Sequence, residues 1–429
     1  MRPLNREAAY LLSGIRVVDL SMGWSGPLAA RHLADMGAEV IKIEACQYYD
    51  WWRGWDLTPE EYEERMYEQA PAFNLMNRNK KGITLDLTTP EGKALCKRLV
   101  GISDVVIENQ ARSVLPKLGL DYPDLIEVKP DLVMISLPAF GATGDWTDYR
   151  AYGSTVEQAS GIPHLTGEPD WPPTMQHVAY GDSVAGINAA AALLVALWHR
   201  ENTGEGQYID LSQVECLFPL ASHGIIEQSM NGKVPKRHGN GHPVHSPHGV
   251  FPCQGDDRWV IITITNTKEW RGLCREMDRP DLSEDKGLDT SAGRRAREKE
   301  INEIIRGWTS ELDPQTIMFK LQENGVPAAP VHPPYTLMEE PHLYERGTWE
   351  WLDRAYVDMQ PQTRPLYHIS KGLRGIETPA PCLGEHNEEI LGGLLGLSKE
   401  ELALLEEKGI MGTVPTALEE LRKNEVKKE

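Results

Sequence analysis

The sequence predicts an α/β protein, with a large parallel-sheet part at the N-terminus and a second, smaller α/β domain after it. Three observations carry this. Short apolar runs alternate with helical segments through the first part of the chain, the pattern of a parallel sheet with right-handed crossovers. The pattern breaks at a Gly/Pro/His-rich stretch, Asn231–Gly249, and then restarts. The length, 429 residues, suits two or three domains, or one large domain with a smaller one attached.

The elements follow in order. Ile15–Leu20 reads as a buried strand and Ser21–Gly26 as a loop. Pro27 stands where a first helical turn tolerates proline, and the helix runs on to Gly37. Ala38–Ile43 is the next strand. An insert, Cys46–Ala72, holds Tyr48, Tyr49, Trp51, Trp52, Trp55, Tyr62 and Tyr67 among acids. It reads either as a surface excursion packed by its own aromatics or as a substrate-side or subunit-contact lid. Gly82–Leu87, Asp104–Glu108 and Leu132–Leu137 are further strands, and Pro90 opens an amphipathic helix. A long helix spans about Ser183–Arg200, followed by a strand at Tyr208–Leu211 and a helix at Val214–Ser222. These give a large domain over 1–222, a linker and Gly/His loop over 223–248, and a small domain over 249–331. The remainder, 332–429, is proline-rich and irregular to Pro381, then helical, and ends in the charge run KNEVKKE.

Composition excludes several classes. Hydrophobic residues are 40% and charged residues 25%, which rules out a disordered or fibrous chain. The net charge of −20 makes nucleic acid and anionic membranes poor partners, so any anion must meet a local basic cluster. Six scattered cysteines with no C-x-x-C pair suggest reduced thiols in a cytoplasmic protein. The N-terminus shows no signal-peptide pattern. The most apolar stretch, Ala185–Trp198, is 14 residues, shorter than a bilayer needs.

Chemistry concentrates in a few places. Gly23-Trp24-Ser25-Gly26 after the first strand is no dinucleotide fingerprint, but a helix start there presents N–H groups suited to an anion or oxyanion. Asn77-Arg78-Asn79-Lys80-Lys81 reads as a solvated charged turn or, against an acidic background, as a holder of phosphates. Asp182 in Tyr180-Gly181-Asp182-Ser183 has two readings: a helix N-cap, or an accessible, ionised carboxylate fit to act as a nucleophile. His238, His242, His245 and His248 crowd one loop without a Cys or carboxylate among them, and read as a polar loop rather than a metal site. No G-x-S-x-G surrounds any serine.

Taken together, LSGIRVVDLS…GPLAARHLADMGAEVIKIE, NRNKKGITLDLTTPEGKALCKRLV, DVVIEN, YGDSVAGINAAAALLVALWHRENTGEGQYIDLS, GVPAAPV and APCLGEHNEEIL resemble the class III CoA-transferase family across nearly the whole chain. That family includes formyl-CoA transferase and 2-methylacyl-CoA racemases. The resemblance implies an open Rossmann-like large domain, a C-terminal segment returning to it, and two subunits interlocked as a dimer. It implies that Asp182 attacks an acyl-CoA thioester and carries CoA as an aspartyl thioester, with the Ser25 N–H at the oxyanion. It implies coenzyme A contacts at Lys80, Asn109, Lys117, Arg150 and Tyr152, a substrate pocket at Trp24, Gly239 and Gly241, no metal, and no permanently bound cofactor beyond the acyl-CoA substrate. The chain departs from the family at Ala45, where arginine is frequent, at Trp24, where formyl-CoA transferase has glutamine, and at His238–His242, a loose match to the glycine-rich flap.

The expected activity is CoA transfer from an acyl-CoA such as succinyl-CoA to a free acid, the acceptor being an aryl or dicarboxylic acid such as benzylsuccinate. Two alternatives stand beside it. A 2-methylacyl-CoA racemase needs a His–Asp pair, but the family's histidine falls at Tyr152, and the nearest downstream histidine is His164. A non-catalytic CoA-binding subunit partnering a paralogue is disfavoured by the presence of Asp182. The expected assembly is a homodimer, or a hetero-oligomer with a paralogous subunit.

Overall fold

The computed structural model describes residues 10–54, 56–177 and 179–418. Trp55, the first residues and the KNEVKKE run lie outside the described residues. Six strands form one parallel sheet: β1 (Arg16–Asp19), β2 (Glu39–Glu44), β3 (Lys80–Thr84), β4 (Val105–Glu108), β5 (Val133–Ser136) and β6 (Gln207–Asp210). Their spatial order is β3-β2-β1-β4-β5-β6, that of a doubly wound sheet. Successive residues of a strand point to opposite faces, and both faces are covered. Val18, Ile41, Val106 and Met134 pack on helix α2 (Pro90–Gly101) through Leu95, Cys96, Leu99 and Val100. Val17, Val40, Val105 and Val133 pack on α1 (Ser25–Asp35) and α4 (Tyr180–Thr203). The strand order reverses between β1 and β4, where sheets of this kind leave a crevice at the carboxyl ends of their strands.

Five strands match the sequence reading to within a residue or two. β3 begins two residues before the expected Gly82, with Lys80 opposite Val40. A lysine starting a buried strand breaks the apolar pattern; it is tolerated because its ammonium meets Asp19. Within 332–381, a stretch read as irregular, β10 (Trp349–Arg354) and β11 (Asp358–Thr363) form an antiparallel hairpin. Pro361, seated opposite Trp351, is what disguised it as loop.

α4 is longer than expected, at 24 residues, and by length and composition it is enough to cross a bilayer. Its Gly181, Ala185, Gly186 and Ala189 are buried, and α1 packs closely on it. Ile187, Val195 and Trp198 lie exposed on the other side.

Contacts divide the chain into two compact units, described separately. The first takes in Met1–Gly161, His177–Ser222 and Gly347–Glu429; the second Ile162–Gln176 and His223–Arg346. The borders differ from 1–222, 249–331 and 332–429: residues 162–176 and 332–346 group with the small domain. There Arg237 donates to the carbonyls of Glu168 and Trp171, and Gln315 to Glu340. The second unit holds an antiparallel sheet of β7 (His248–Pro252), β8 (Trp259–Thr263) and β9 (Ala328–Val331) over a helical core around Trp270, Leu273, Ile305 and Ile317. The C-terminal segment joins the first unit through Asn387 at Thr84 and His386 at Gly82.

A buried ion network ties the aromatic insert to the sheet. Lys42 of β2 meets Asp50 at 3.0 Å. Arg53 meets Glu44 at 2.9 Å and Glu68 at 2.7 Å, and Arg354 of β10 meets Glu68 at 2.9 Å. Arg53 also lies 3.6 Å over the Phe73 ring. Such pairs cost desolvation and are worth keeping only when every partner is present. Arg53→Ala would leave Glu44 buried without its ion-pair partner and Glu68 with Arg354 alone. It should cost about 3–5 kcal/mol, read as the shift of the urea midpoint; a loss under about 1 kcal/mol would contradict the network's role.

Candidate active site

Asp182 is not an N-cap. α4 starts at Tyr180, its cap is Ala179 with no side-chain cap bond, and Asp182 lies in the first turn. The carboxylate is half-buried against helix α3 (Gly153–Ala159), whose first N–H, from Gly153, is directed at it. A methyl group at Gly153 would overlap Asp182 Oδ2, so only glycine fits. Burial raises the Asp182 carboxyl to about 6, with the Gly153 N–H pulling the other way. The carboxylate expected to be accessible and ionised is half-buried, and its raised value still leaves it ionised at neutral pH. Gly186, one turn on, shares the face of Asp182, and its Cα abuts the Ser25 carbonyl. That face of α4 is thus the one turned to the start of α1.

The loop before α1 is fixed by polar contacts. Asn109, just after β4, accepts the Met22 N–H at 2.9 Å and donates to the Met22 carbonyl at 2.7 Å and to Ser25 Oγ at 3.1 Å. Asp50 accepts the Gly23 N–H, and Lys42 donates to the Ser21 carbonyl. The first intrahelical bond is Leu28 N–H to Trp24 C=O, and Pro27 has no N–H. The donors of the first turn, Ser25 and Gly26, have no acceptor among the described residues, the condition in which an N-terminus receives negative charge.

Aromatic rings line the same region. Trp24 meets Trp52 at 4.7 Å between centroids and His177 at 5.9 Å; Trp51 meets Trp52 at 5.6 Å and Tyr152 at 6.0 Å. Gly23, at φ +73°, lets its Cα lie against the Trp51 ring, where any side chain would collide. Tyr152 immediately precedes Gly153. Part of the insert packs by its own aromatics, Tyr49, Tyr62 and Tyr67 lying on one another, while Trp51 and Trp52 face the loop before Ser25. His177 Nδ1 accepts the Ala179 N–H at 3.1 Å, which puts the proton of the neutral ring on Nε2.

The expected CoA contacts divide. Lys80 is buried, and its ammonium donates to Asp19 at 2.8 Å, Asn77 at 2.9 Å and the Pro27 carbonyl at 3.0 Å. All three donors are occupied, so the expectation that it holds a phosphate is corrected. Burial lowers it to about 8, although Asp19 pulls upward. Arg78 is paired with Asp35, and Lys81 with Glu39 and Glu389. This run of cations is structural, not a solvated turn. Asn109 positions the loop of Ser25. Lys117, Arg150 and Tyr152 are exposed. Gly239 and Gly241 belong to the second unit, where the Gly239 N–H donates to Gly167. His242 stacks on His245 there, at 4.4 Å. No group of three metal-ligating side chains occurs among the described residues. The sequence reading missed Gly153 and His177. A glycine opening a helix seven residues after Trp146 carries no pattern of its own, and nothing in the sequence brings His177 to Trp24.

The sequence model of CoA-transferase family III matches residues 12–387. The chain belongs to this family. It is 34% identical, over 93% of its length and 98% of the relative's, to succinyl-CoA–D-citramalate CoA-transferase of Chloroflexus aurantiacus. It is 35% identical, over 89% and 95%, to succinate–glutarate CoA-transferase of Agrobacterium fabrum. The crystal structure of a CaiB/BaiF family protein from Brucella suis superposes with a TM-score of 0.81 at 30% identity, covering 90% of this chain and all of that one. The protein is an enzyme that transfers CoA, and acyl-CoA is its substrate.

The raised Asp182 carboxyl has two measurable consequences. If Asp182 attacks the thioester it must be ionised, and kcat/KM then falls about tenfold per unit of pH below about 6. In the fold Asp182 holds its proton to about 6, against an ordinary 3.8, so its charge costs stability as pH rises through that window. Asp182→Asn should therefore be more stable than the parent by about 3 kcal/mol at pH 8, with the difference vanishing below pH 3.8. Equal melting curves at pH 8 would contradict this.

Proposed function

We propose that the enzyme moves CoA from succinyl-CoA to a free carboxylic acid through covalent intermediates on Asp182. The observation that carries this is the half-buried Asp182 carboxylate, held by the Gly153 N–H on the face of α4 turned to the start of α1. A carboxylate oxygen attacks the thioester carbonyl, the C–S bond breaks, and CoA leaves as the thiolate. The product is a mixed anhydride of succinate and Asp182. The thiolate then attacks the Asp182 carbonyl and expels succinate, leaving an aspartyl-CoA thioester. The acceptor carboxylate attacks that carbonyl and releases the thiolate, which takes the acceptor's acyl group from the new anhydride and regenerates Asp182. Each step exchanges one acyl bond for another and needs no net proton transfer. The Ser25 and Gly26 N–H groups suit the oxyanion of each tetrahedral intermediate.

Lys117, Arg150 and Tyr152 are the proposed contacts of coenzyme A. The relatives' names favour succinyl-CoA as donor, and the acceptor is an aryl or dicarboxylic acid such as benzylsuccinate. The His177 tautomer disfavours the racemase, because a ring with Nδ1 occupied and Nε2 protonated is a donor rather than a base. The six free cysteines suit the cytoplasm.

Incubating the protein with succinyl-CoA alone and then hydroxylamine or borohydride should modify Asp182, as read by peptide mass spectrometry. Asp182→Ala should lose transfer by at least about 10³-fold; near-full activity of that variant would overturn the reading. A 2-methylacyl-CoA in deuterated water should show no exchange of its α-hydrogen. Rapid exchange without acceptor acid would favour the racemase instead.

We further propose a homodimer, which would cover the exposed Ile187, Val195 and Trp198 of α4. Light scattering after size exclusion should give twice the chain mass at nanomolar loading. A folded, active monomer would refute it.

A further inference from the structure

We propose that Glu108 is a positioning residue for CoA transfer: through the turn Glu108–Gln110 it sets the loop that leads into Ser25, and it does so fully only as the carboxylate. This inference rests on the transfer reading above, and goes beyond it by giving a role to a buried acid that the reaction scheme does not use. Glu108 ends β4, opposite Ser136 of β5 and beside the reversal of strand order, and it is 5% exposed. Its Oε2 accepts the Gln110 N–H at 2.7 Å, which closes a tight turn at the end of the strand. The two residues that follow Glu108 hold the loop before α1. Asn109 bonds the N–H and the carbonyl of Met22 and donates to Ser25 Oγ. Gln110 Nε2 donates to the Leu20 carbonyl at 3.3 Å. Gly26 leaves no slack, since a Cβ there would overlap Ser21 and touch Asn109. A slip of the turn therefore moves Asn109, and with it the N–H donors of Ser25 and Gly26.

The surroundings of Glu108 make its charge conditional. Burial opposes the charge and prevails over the Ser136 hydroxyl and the Gln110 N–H, raising the carboxyl to about 7. Among the described residues no cation pairs with it. Arg112, which would favour the charge, is held by Asp121 at 3.0 Å, and Asp121 works against it. Tyr208 of β6 brings only a phenol to the cluster. Asp19, at the end of the neighbouring β1, points to the other face of the sheet, where it meets Lys80. A protonated Glu108 keeps an oxygen for the Gln110 N–H but loses the charge-assisted bond, which is the stronger kind.

The test measures the exchange of isotopically labelled succinate into succinyl-CoA across pH. Succinate is the acid that the first half of the proposed reaction releases, so it must also re-enter. In the parent, kcat should rise about fivefold through a step near pH 7, above the fall that Asp182 sets below about 6. Glu108→Gln keeps an acceptor for the Gln110 N–H but no charge. It should lack the step and stay about fivefold below the parent at pH 8. Glu108→Ala removes the acceptor as well and should lose kcat about fiftyfold, with KM for succinyl-CoA within about twofold in both variants. A merely structural acid would change the melting curve of Glu108→Gln and leave the pH profile alone. The inference is overturned if the parent shows no step, if folded Glu108→Gln keeps it, or if the loss lies wholly in KM. Should Glu108→Ala not fold, the glutamine variant decides. If no label enters succinyl-CoA in the parent at any pH, the transfer reading falls and this inference with it. Exchange in the parent without the Glu108 effect removes Glu108 alone.

Discussion

The Lys42–Asp50 ion pair is the contact on which the site depends. Neither side chain has measurable exposure, and their separation is 3.0 Å. Lys42 stands in β2, so its position is set by the sheet. From there its ammonium fixes Asp50 and also binds the Ser21 carbonyl. Asp50 in turn accepts the N–H groups of Gly23 and Trp52. One pair thus aligns the loop that leads into Ser25 with the turn that carries the tryptophans. Burial alone would neutralise the lysine, but Asp50 and Asp19 outweigh it and raise its value above the ordinary one. The pair is kept for what it positions, since apolar residues of the same volume would stabilise the fold as well.

The same physics explains how a chain of net charge −20 handles an anionic substrate. Its most concentrated run of cations, from Arg78 to Lys81, is engaged with Asp35, Asp19, Glu39 and Glu389. What remains for an anion are exposed side chains such as Lys117 and Arg150, and the backbone N–H groups at the start of α1. Side chains of this sort act through solvent and are weakened by salt. Backbone donors in a half-buried pocket are not. In the proposed reaction, charge in the developing intermediate would be met by groups whose strength does not depend on the protein's overall balance.

How much of this was legible in the sequence follows from the range of each interaction. β1, β2, β4 and β5 were readable because a strand buried on both faces is a local apolar run. Asp182 was readable as a candidate because glycine before it and alanines after it mark the start of a close-packed helix. Lys80 was misread because a buried lysine and a solvated one look alike until Asp19, 61 residues away, is brought to it. The network through Arg354 was invisible for the same reason: its Glu68 contact spans 286 residues. Gly153 was missed because the demand for glycine comes from the Asp182 carboxylate, which no local pattern announces.

The position of Asp182 reconciles two demands that pull against each other. A carboxylate in water is a weak nucleophile because its charge is well solvated. Removing water raises its pKa and its reactivity together, but complete burial would leave it protonated at neutral pH. The structure stops between these limits. The carboxyl is raised to about 6, and a single N–H from Gly153 keeps it from rising further. The small residues around it make this possible: glycine at 153 admits the carboxylate to the start of α3, and glycine at 186 brings α4 against the Ser25 carbonyl. A larger residue at either position would move the Asp182 carboxylate away from the donors at the start of α1. The burial that raises Asp182 is therefore inseparable from the close packing of α1 on α4. The tight helix contact, which the alanine-rich sequence of α4 first suggests as mere core, is also what would set the environment of Asp182 in the proposed reaction.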